Sequence, residues 1–210
     1  MRKLAAVLAA LALCAPAVAF AEGPLLVRLR GVYIVPADKS DAIPALGVPA
    51  DKISVSKKLI PEVDFSYFFT PNLSAELILT YPQKHDVEVD GVGKIGTVTH
   101  LPPVLAAQWH FLPGGVVNPY VGLGVNLTLI TGQDLAVPLA TPLPLELSKA
   151  SVGVAGQVGA DVKVADAIFV NVDVKYVTMG FDVKTKADGK KVSAVTLNPW
   201  LLGVGAGYRF

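Results

Sequence analysis

The sequence predicts an all-β chain, folded as an eight-stranded antiparallel transmembrane β-barrel. Three observations lead there. The final stretch, Leu197 to Phe210, alternates with a period of two: Trp200, Leu202, Val204, Ala206, Tyr208 and Phe210 face one way, and Leu201, Gly203, Gly205, Gly207 and Arg209 the other. Such an edge, apolar on one face and ending in an aromatic pair, is too sticky to stand unpaired in water. Seven similar segments precede it, each of about 9–12 residues, the length a tilted strand needs to cross a bilayer. The connections between them alternate between short turns and longer loops, the rhythm of an even-numbered outer-membrane barrel.

The chain opens with a leader. Arg2 and Lys3 precede the apolar run Leu4 to Leu13, and Ala17, Ala19 and Ala21 supply the small residues of a cleavage site. Residues 1–21 therefore read as a secretory signal peptide cut after Ala21, because the run is too short to span a membrane comfortably. A lipoprotein signal is disfavoured by the large Leu13 before Cys14. Cleavage removes Arg2 and Lys3 and no acidic residue, so the formal charge falls from +1 to −1. A chain so close to neutral has no field with which to attract nucleic acid. Cys14, the single cysteine, leaves with the leader, which excludes disulfides and thiol catalysis in the barrel domain, residues 22–210.

The first strand, Leu25 to Val35, sets Leu25, Val27, Leu29, Gly31 and Tyr33 against Leu26, Arg28, Arg30, Val32 and Ile34. A loop rich in Pro, Ala and Asp follows, Pro36 to about Val55. The second strand, about Leu59 to Phe69, alternates Leu59, Val63, Phe65, Tyr67 and Phe69 with Ile60, Glu62, Asp64, Ser66 and Phe68. Pro61 is tolerable there only near a strand end or at a bulge. Thr70-Pro71-Asn72 makes a tight turn.

The third strand, Leu73 to Tyr81, opposes Leu73, Ala75, Leu77, Leu79 and Tyr81 to Ser74, Glu76, Ile78 and Thr80. A polar loop from Pro82 to about Thr97 carries Lys84, His85, Asp86, Glu88 and Asp90. The fourth strand, about Thr99 to Phe111, sets Leu101, Leu105, Ala107, Trp109 and Phe111 against His100, Val104, Gln108 and His110, and Pro113-Gly114-Gly115 marks the turn after it. The fifth strand, Pro119 to about Ile130, alternates Val121, Leu123, Val125, Leu127 and Leu129 with Gly122, Gly124, Asn126, Thr128 and Ile130. An unusually apolar loop follows, Leu135 to Leu147.

The sixth strand, Ser151 to Val164, places Val152, Val154, Val158, Ala160 and Val162 against Gln157, Asp161 and Lys163. The seventh, Ile168 to about Met179, places Val170, Val172, Val174 and Tyr176 against Asn171, Asp173, Lys175 and Val177. A Lys-rich hairpin around Ala187-Asp188-Gly189 leads into the closing strand. A soluble eight-stranded barrel would turn its apolar face inward. Here one face of every strand is Leu, Val or aromatic, while the other mixes Arg, Glu, Asp, Asn and Gly. With only eight strands, the polar set suits a narrow lumen and the apolar set suits lipid.

Several runs resemble the outer membrane protein W (OmpW) family: Arg28 to Val35, Lys84-His85-Asp86, GTVTHLPP from Gly96 to Pro103, Asn118-Pro119-Tyr120-Val121-Gly122, Asn198-Pro199-Trp200, and Gly203 to Phe210. The resemblance covers essentially the whole chain after the leader. It implies an eight-stranded outer-membrane barrel of Gram-negative bacteria with a narrow hydrophobic channel, associated with uptake of small apolar molecules.

The residues themselves divide the lumen. With the first strand rising from the periplasmic side, the inward positions near the outer ends are Val32, Ile34, Ile60, Ile78, Val104, Ile130, Val177, Leu197 and Leu201. Lower positions carry Arg28, Arg30, Glu62, Asp64, Glu76, Asp161, Lys163, Asp173, Lys175 and Arg209. Buried charges persist only when paired or wet, so a salt-bridge network is expected to close the floor beneath an apolar funnel. Gly203, Gly205 and Gly207 leave room for it. With the floor shut, a small hydrophobic solute has to leave sideways, and Pro102 and Pro103, which lack ladder donors, mark the candidate lateral gate.

The expected partners are outer-membrane lipid, small hydrophobic solutes and, through terminal Phe210, the barrel-assembly machinery. No cofactor is expected, and His85, Asp86, Glu88, Asp90 and His100 fit no closed zinc spacing. Two other classes stay open. One is a surface barrel for adhesion or for phage and bacteriocin docking. The other is a lipid-modifying enzyme, for which no serine is convincingly placed as nucleophile.

Overall fold

The computed structural model describes residues 23–37, 39–42, 49–137 and 143–210. Its strands are β1 (Leu25–Val35), β2 (Lys39–Ser40), β3 (Ile53–Val55), β4 (Lys58–Phe68), β5 (Leu73–Thr80), β6 (Gln83–Val89), β7 (Gly93–Leu101) and β8 (Val104–His110). They continue with β9 (Val117–Val137), β10 (Leu143–Leu147), β11 (Ala150–Lys163), β12 (Ile168–Val177), β13 (Gly180–Thr185), β14 (Lys191–Thr196) and β15 (Trp200–Arg209). Eight of them close on themselves in the circuit β1–β4–β5–β8–β9–β11–β12–β15 and back to β1, every pair antiparallel. The closing pair runs from Leu26↔Arg209 to Val35↔Trp200, so the last strand zips the first. Closure pairs each of these eight strands with a neighbour on both sides. The predicted signal peptide and part of the apolar loop (138–142) lie outside the described residues.

The face assignments hold strand by strand. In β1, Arg28, Arg30 and Val32 are buried while Leu29, Gly31 and Tyr33 are exposed. The outward row forms an apolar belt that ends above in Tyr33, Tyr81 and Trp200 and below in Phe69, Phe111, Tyr208 and Phe210, all exposed. Above the belt the outward residues of β6 change to Lys84, Asp86 and Glu88. That switch from aromatic to charge marks the outer water interface.

Among the described residues, the longer connections carry strands of their own. β6 and β7 form a hairpin standing on top of β5 and β8, β9 climbs through 21 residues to pair with β10, and β13 and β14 form a second hairpin. The wall therefore continues well beyond the membrane. Its residues alternate too: His85, Val87 and Val89 point inward, Lys84, Asp86 and Glu88 outward. Out in water a strand must be polar on its outer face, so charge there is compatible with a strand. Two bulges keep the apolar side inward. Ladder register shifts between Thr99 and His100, so that Ile130 and Leu135 on β9 both face the interior. A second shift, between Val87 and Glu88, accompanies Gly96 at φ 146°. A Cβ on Gly96 would lie 1.9 Å from the Asp134 carbonyl oxygen, so only glycine fits.

The predicted fourth strand is split. Neither Pro102 nor Pro103 belongs to β7 or β8, and the β5–β8 ladder stops at Ile78↔Val104. The ladder resumes only at Gln83↔His100. Pro103 still accepts a hydrogen bond from Leu127 N at 3.0 Å, which holds this segment to β9. Successive residues aim their backbone groups at opposite neighbours, so the donor missing at Pro102 is the one that would face β5. Pro61 survives in β4 for a related reason. It sits just above Glu62↔Thr80, the uppermost β4–β5 pair, where β4 has no β5 partner.

Candidate functional site: apolar cavities above an ion-paired floor

The lower lumen holds a network of buried ions. Arg28 and Asp64 are cross-strand neighbours, as are Arg30 and Glu62. Arg28 donates from Nε and Nη2 to Asp161 at 2.9 and 2.6 Å, and from Nη1 to Asp64 at 2.9 Å and Ser66 at 2.8 Å. Arg30 lies 2.9 Å from both Glu62 and Asp64, and 3.5 Å from Asp173. Lys175 bridges Glu62 at 3.0 Å and Asp173 at 3.2 Å. Glu76 receives Arg28 and Arg30 together with the amides of Gln108 at 2.8 Å and Gln157 at 2.6 Å. Every one of these charged side chains is buried.

The glycine row of β15 makes the space. A Cβ on Gly203 would sit 2.6 Å from Asp173 Oδ1, and one on Gly205 2.7 Å from Arg30 Cα. Eight of the ten residues expected in the floor thus share one network. The other two, Lys163 and Arg209, are half-buried nearer the periplasmic end, where Arg209 lies 4.0 Å over the Phe68 ring and donates to Gly23 O at 2.8 Å. Below the ions lies an apolar layer of Leu26, Phe68 and Phe169, which sequence reasoning did not assign to the floor. His110 belongs to this region, 3.1 Å from Ser74 Oγ and tilted against Phe68 and Tyr120. Among the described residues, this part of the lumen is thus occupied by paired charge with rings beneath it.

The residues expected in the upper lumen all face inward, in two groups. Val32, Ile34 and Ile60 pack together with Leu201 against them. Ile78, Val104 and Val177 pack with Ala106, Ala155, Met179 and Phe181, and Ile130, Leu197 and Leu201 lie against them. Within this layer a cavity of about 40 Å³ is lined by Ile34, Ile78, Pro102, Val104, Val177, Leu201 and others, with Glu62 and Lys175 at its bottom. Pro102 is thus part of the cavity wall, at the height where the ladder is open.

A larger cavity, about 60 Å³, sits higher still, inside the extension. Ile53, Val87, Val89, Ile95, Val98, Leu135, Val137, Leu145, Val183 and Val195 form its apolar shell. The described ends of the apolar segment Leu135 to Leu147 therefore line this cup. Most of the remaining shell was hidden in segments whose charges looked like loop. The signal was present as alternation in Gln83 to Val89 and again in Gly180 to Thr185.

The two cavities share His100. Its ring stacks on His85 with centroids 5.0 Å apart and planes 21° apart. Both lie above the belt. Burial pushes His85 below the ordinary histidine range, and burial with the nearby His85 and Lys58 pushes His100 down to about 4. Both rings are neutral at pH 7. Strand alternation disperses the rest of the acidic and histidine run: Asp86 and Asp90 face water, paired with Lys94 at 2.8 Å and Lys52 at 2.5 Å, while Glu88 is exposed.

Comparison with known proteins places these features. The OmpW family model matches residues 21–210. An uncharacterised outer-membrane protein of Sinorhizobium fredii is 38% identical over 92% of this chain and 82% of its own length. Outer membrane protein W of Vibrio cholerae is 32% identical over 98% of this chain and 96% of its own. The crystal structure of the outer membrane protein OprG from Pseudomonas aeruginosa superposes with a TM-score of 0.74 at 27% identity, covering 90% of this chain and 97% of that one.

Proposed function

This chain belongs to the OmpW family and is an outer-membrane β-barrel, and from that premise we propose that it passes small hydrophobic molecules from outside into the bilayer. The observation that carries this reading is a pair of cavities, one above the other, that share His100 as a wall residue. The upper is the apolar outer cup, and the lower is the cavity that Pro102 lines. Each Å² of apolar solute surface removed from water contributes roughly 25 cal/mol, enough to hold a small aromatic or alkane transiently. The ion-paired floor turns the solute back from the periplasm. The exit is sideways, between β5 and the Pro102-Pro103 segment, where no backbone pair has to break.

The chain acts here without catalysis. His85 Nδ1 meets the carbonyl oxygen of Ser56 at 3.0 Å, whereas the Ser56 hydroxyl accepts from Asp86 N at 3.4 Å, so this serine is not poised on a base. Lipid surrounds the belt, and Phe210 at the end of β15 is the contact for the assembly machinery.

The test is entry of a labelled alkane or aromatic into cells with and without the protein. Faster entry with the protein is expected; equal entry would leave a docking role as the better reading. For the exit, Pro102→Ala with Pro103→Ala should slow uptake by restoring the donor toward β5. Unchanged uptake would remove the gate from that place.

A further inference from the structure

Among the described residues, two buried acceptors on residues that line the cavities have no partner. His85 is buried, and its Nδ1 lies 3.0 Å from the Ser56 carbonyl oxygen, which can only accept. Nδ1 therefore carries the ring hydrogen and Nε2 is left as a lone pair. Among the described residues nothing donates to that Nε2. Gln83 is buried as well, and its Nε2 donates to Thr80 Oγ1 at 3.0 Å while its Oε1 has no partner. The two residues are two positions apart on one face of β6, which puts them about 7 Å apart. Gln83 also stands opposite His100 in the β6–β7 ladder. His85 lines the outer cavity, Gln83 the inner one, and His100 both.

We propose that Gln83, His85 and His100 form a hydroxyl-recognition site in the throat, selecting apolar solutes that carry a hydroxyl group, such as phenols and alcohols, over bare hydrocarbons. The inference rests on the channel reading above and names its substrate class. A buried acceptor without a donor loses its hydration and gains nothing in return. Both acceptors are already closed to water in the free protein, and a hydrocarbon filling the throat leaves them in that state. A phenol or alcohol brings one O–H, which either lone pair can take, while its apolar body lies against the Val, Ile and Leu shell. The neutral rings offer lone pairs and no cationic donor, so a carboxylate gains nothing comparable.

The sequence contains three histidines, His85, His100 and His110, so nitrogen-15 labelling of histidine reports the site with few signals. The full chain after the leader, in lipid nanodiscs, is titrated with toluene and with 4-methylphenol, which share the ring and the methyl group. The expected result is that the His85 Nε2 resonance, unprotonated at the start, moves with 4-methylphenol in the direction of hydrogen bonding and does not do so with toluene. His110 stays in place as the internal reference. Gln83→Leu and His85→Leu, made separately and confirmed folded by heat-modifiable migration, should each weaken 4-methylphenol binding by about fivefold. Toluene binding should be unchanged or tighter. Comparing each variant with the parent cancels the different partitioning of the two solutes into lipid. Equal weakening of both solutes, no weakening of either, or a protonated His85 Nε2 in the free protein would overturn hydroxyl recognition and leave the channel reading intact. Failure of both solutes to bind the parent protein would overturn the channel reading along with it.

Discussion

Replacing Arg28 by Met tests whether the floor is held by its ions. The side chain is fully buried, and the substitution removes its guanidinium while keeping much of its volume. Asp64 keeps Arg30 at 2.9 Å, and Glu76 keeps Gln108, Gln157 and Arg30. Asp161 is the residue exposed to the loss. It keeps the Asn171 amide at 2.9 Å but forfeits two guanidinium contacts, at 2.9 and 2.6 Å. Breaking a buried pair by removing one partner costs about 3–5 kcal/mol, because the other charge stays behind in low dielectric. That is between about two and four powers of ten in the unfolding equilibrium. Urea titration in lipid vesicles, with folded and unfolded forms separated by their migration on a gel, measures it. Adding Asp161→Asn to Arg28→Met removes the stranded charge and should recover most of the loss. A loss below about 1 kcal/mol for Arg28→Met, or no recovery in the double variant, would refute the claim that paired ions hold the floor.

Gly203→Val should destabilise by about 1–3 kcal/mol in the same titration, since its Cβ starts 2.6 Å from Asp173 Oδ1; Gly203→Ala should cost less. The outer cup should loosen in acid. The folded form holds His100 near 4 and His85 below its usual range, against about 6.5 in an unfolded chain. The unfolded form therefore binds more protons between those values, so this stabilisation is complete above pH 6.5 and is lost as pH falls toward 4. Hydrogen exchange of the β6–β7 amides, corrected for the intrinsic pH dependence, should quicken between pH 7 and 5, and His100→Gln should diminish that response. Lys58, beside both rings, opposes their protonation and Asp86 favours it at His85, so Lys58→Gln should bring the folded-state values closer to 6.5 and diminish the loosening in acid. An undiminished acid response in Lys58→Gln would count against this account.

Within the membrane, the alternation of the sequence carried most of the fold. A closed barrel in lipid forces every second residue outward into hydrocarbon, so Leu29, Val125, Val172 and Val204 declare the outward face and Arg28, Glu62 and Asp173 the lumen. The first strand needs no correction at either end, and Pro102-Pro103 already marked the place where the ladder opens. In the aqueous extension the lipid constraint is gone. Lys84, Asp86 and Glu88 are then as natural on a strand as in a loop, so the same alternation lost its force there.

The one-residue shift in β9 could not be foreseen from sequence, because a bulge depends on the partner strand it is paired with. Pairing across the lumen was equally hidden. Arg28 and Asp161 are 133 positions apart and become neighbours only because the barrel closes. Sequence by itself determined the period, the two faces and the sign of the charge at each inward position, since those follow from local geometry and solvent. Which charges meet, where the two cavities form, and which acceptors are left unpartnered between them were decided by tertiary structure, because each depends on atoms brought together from several strands.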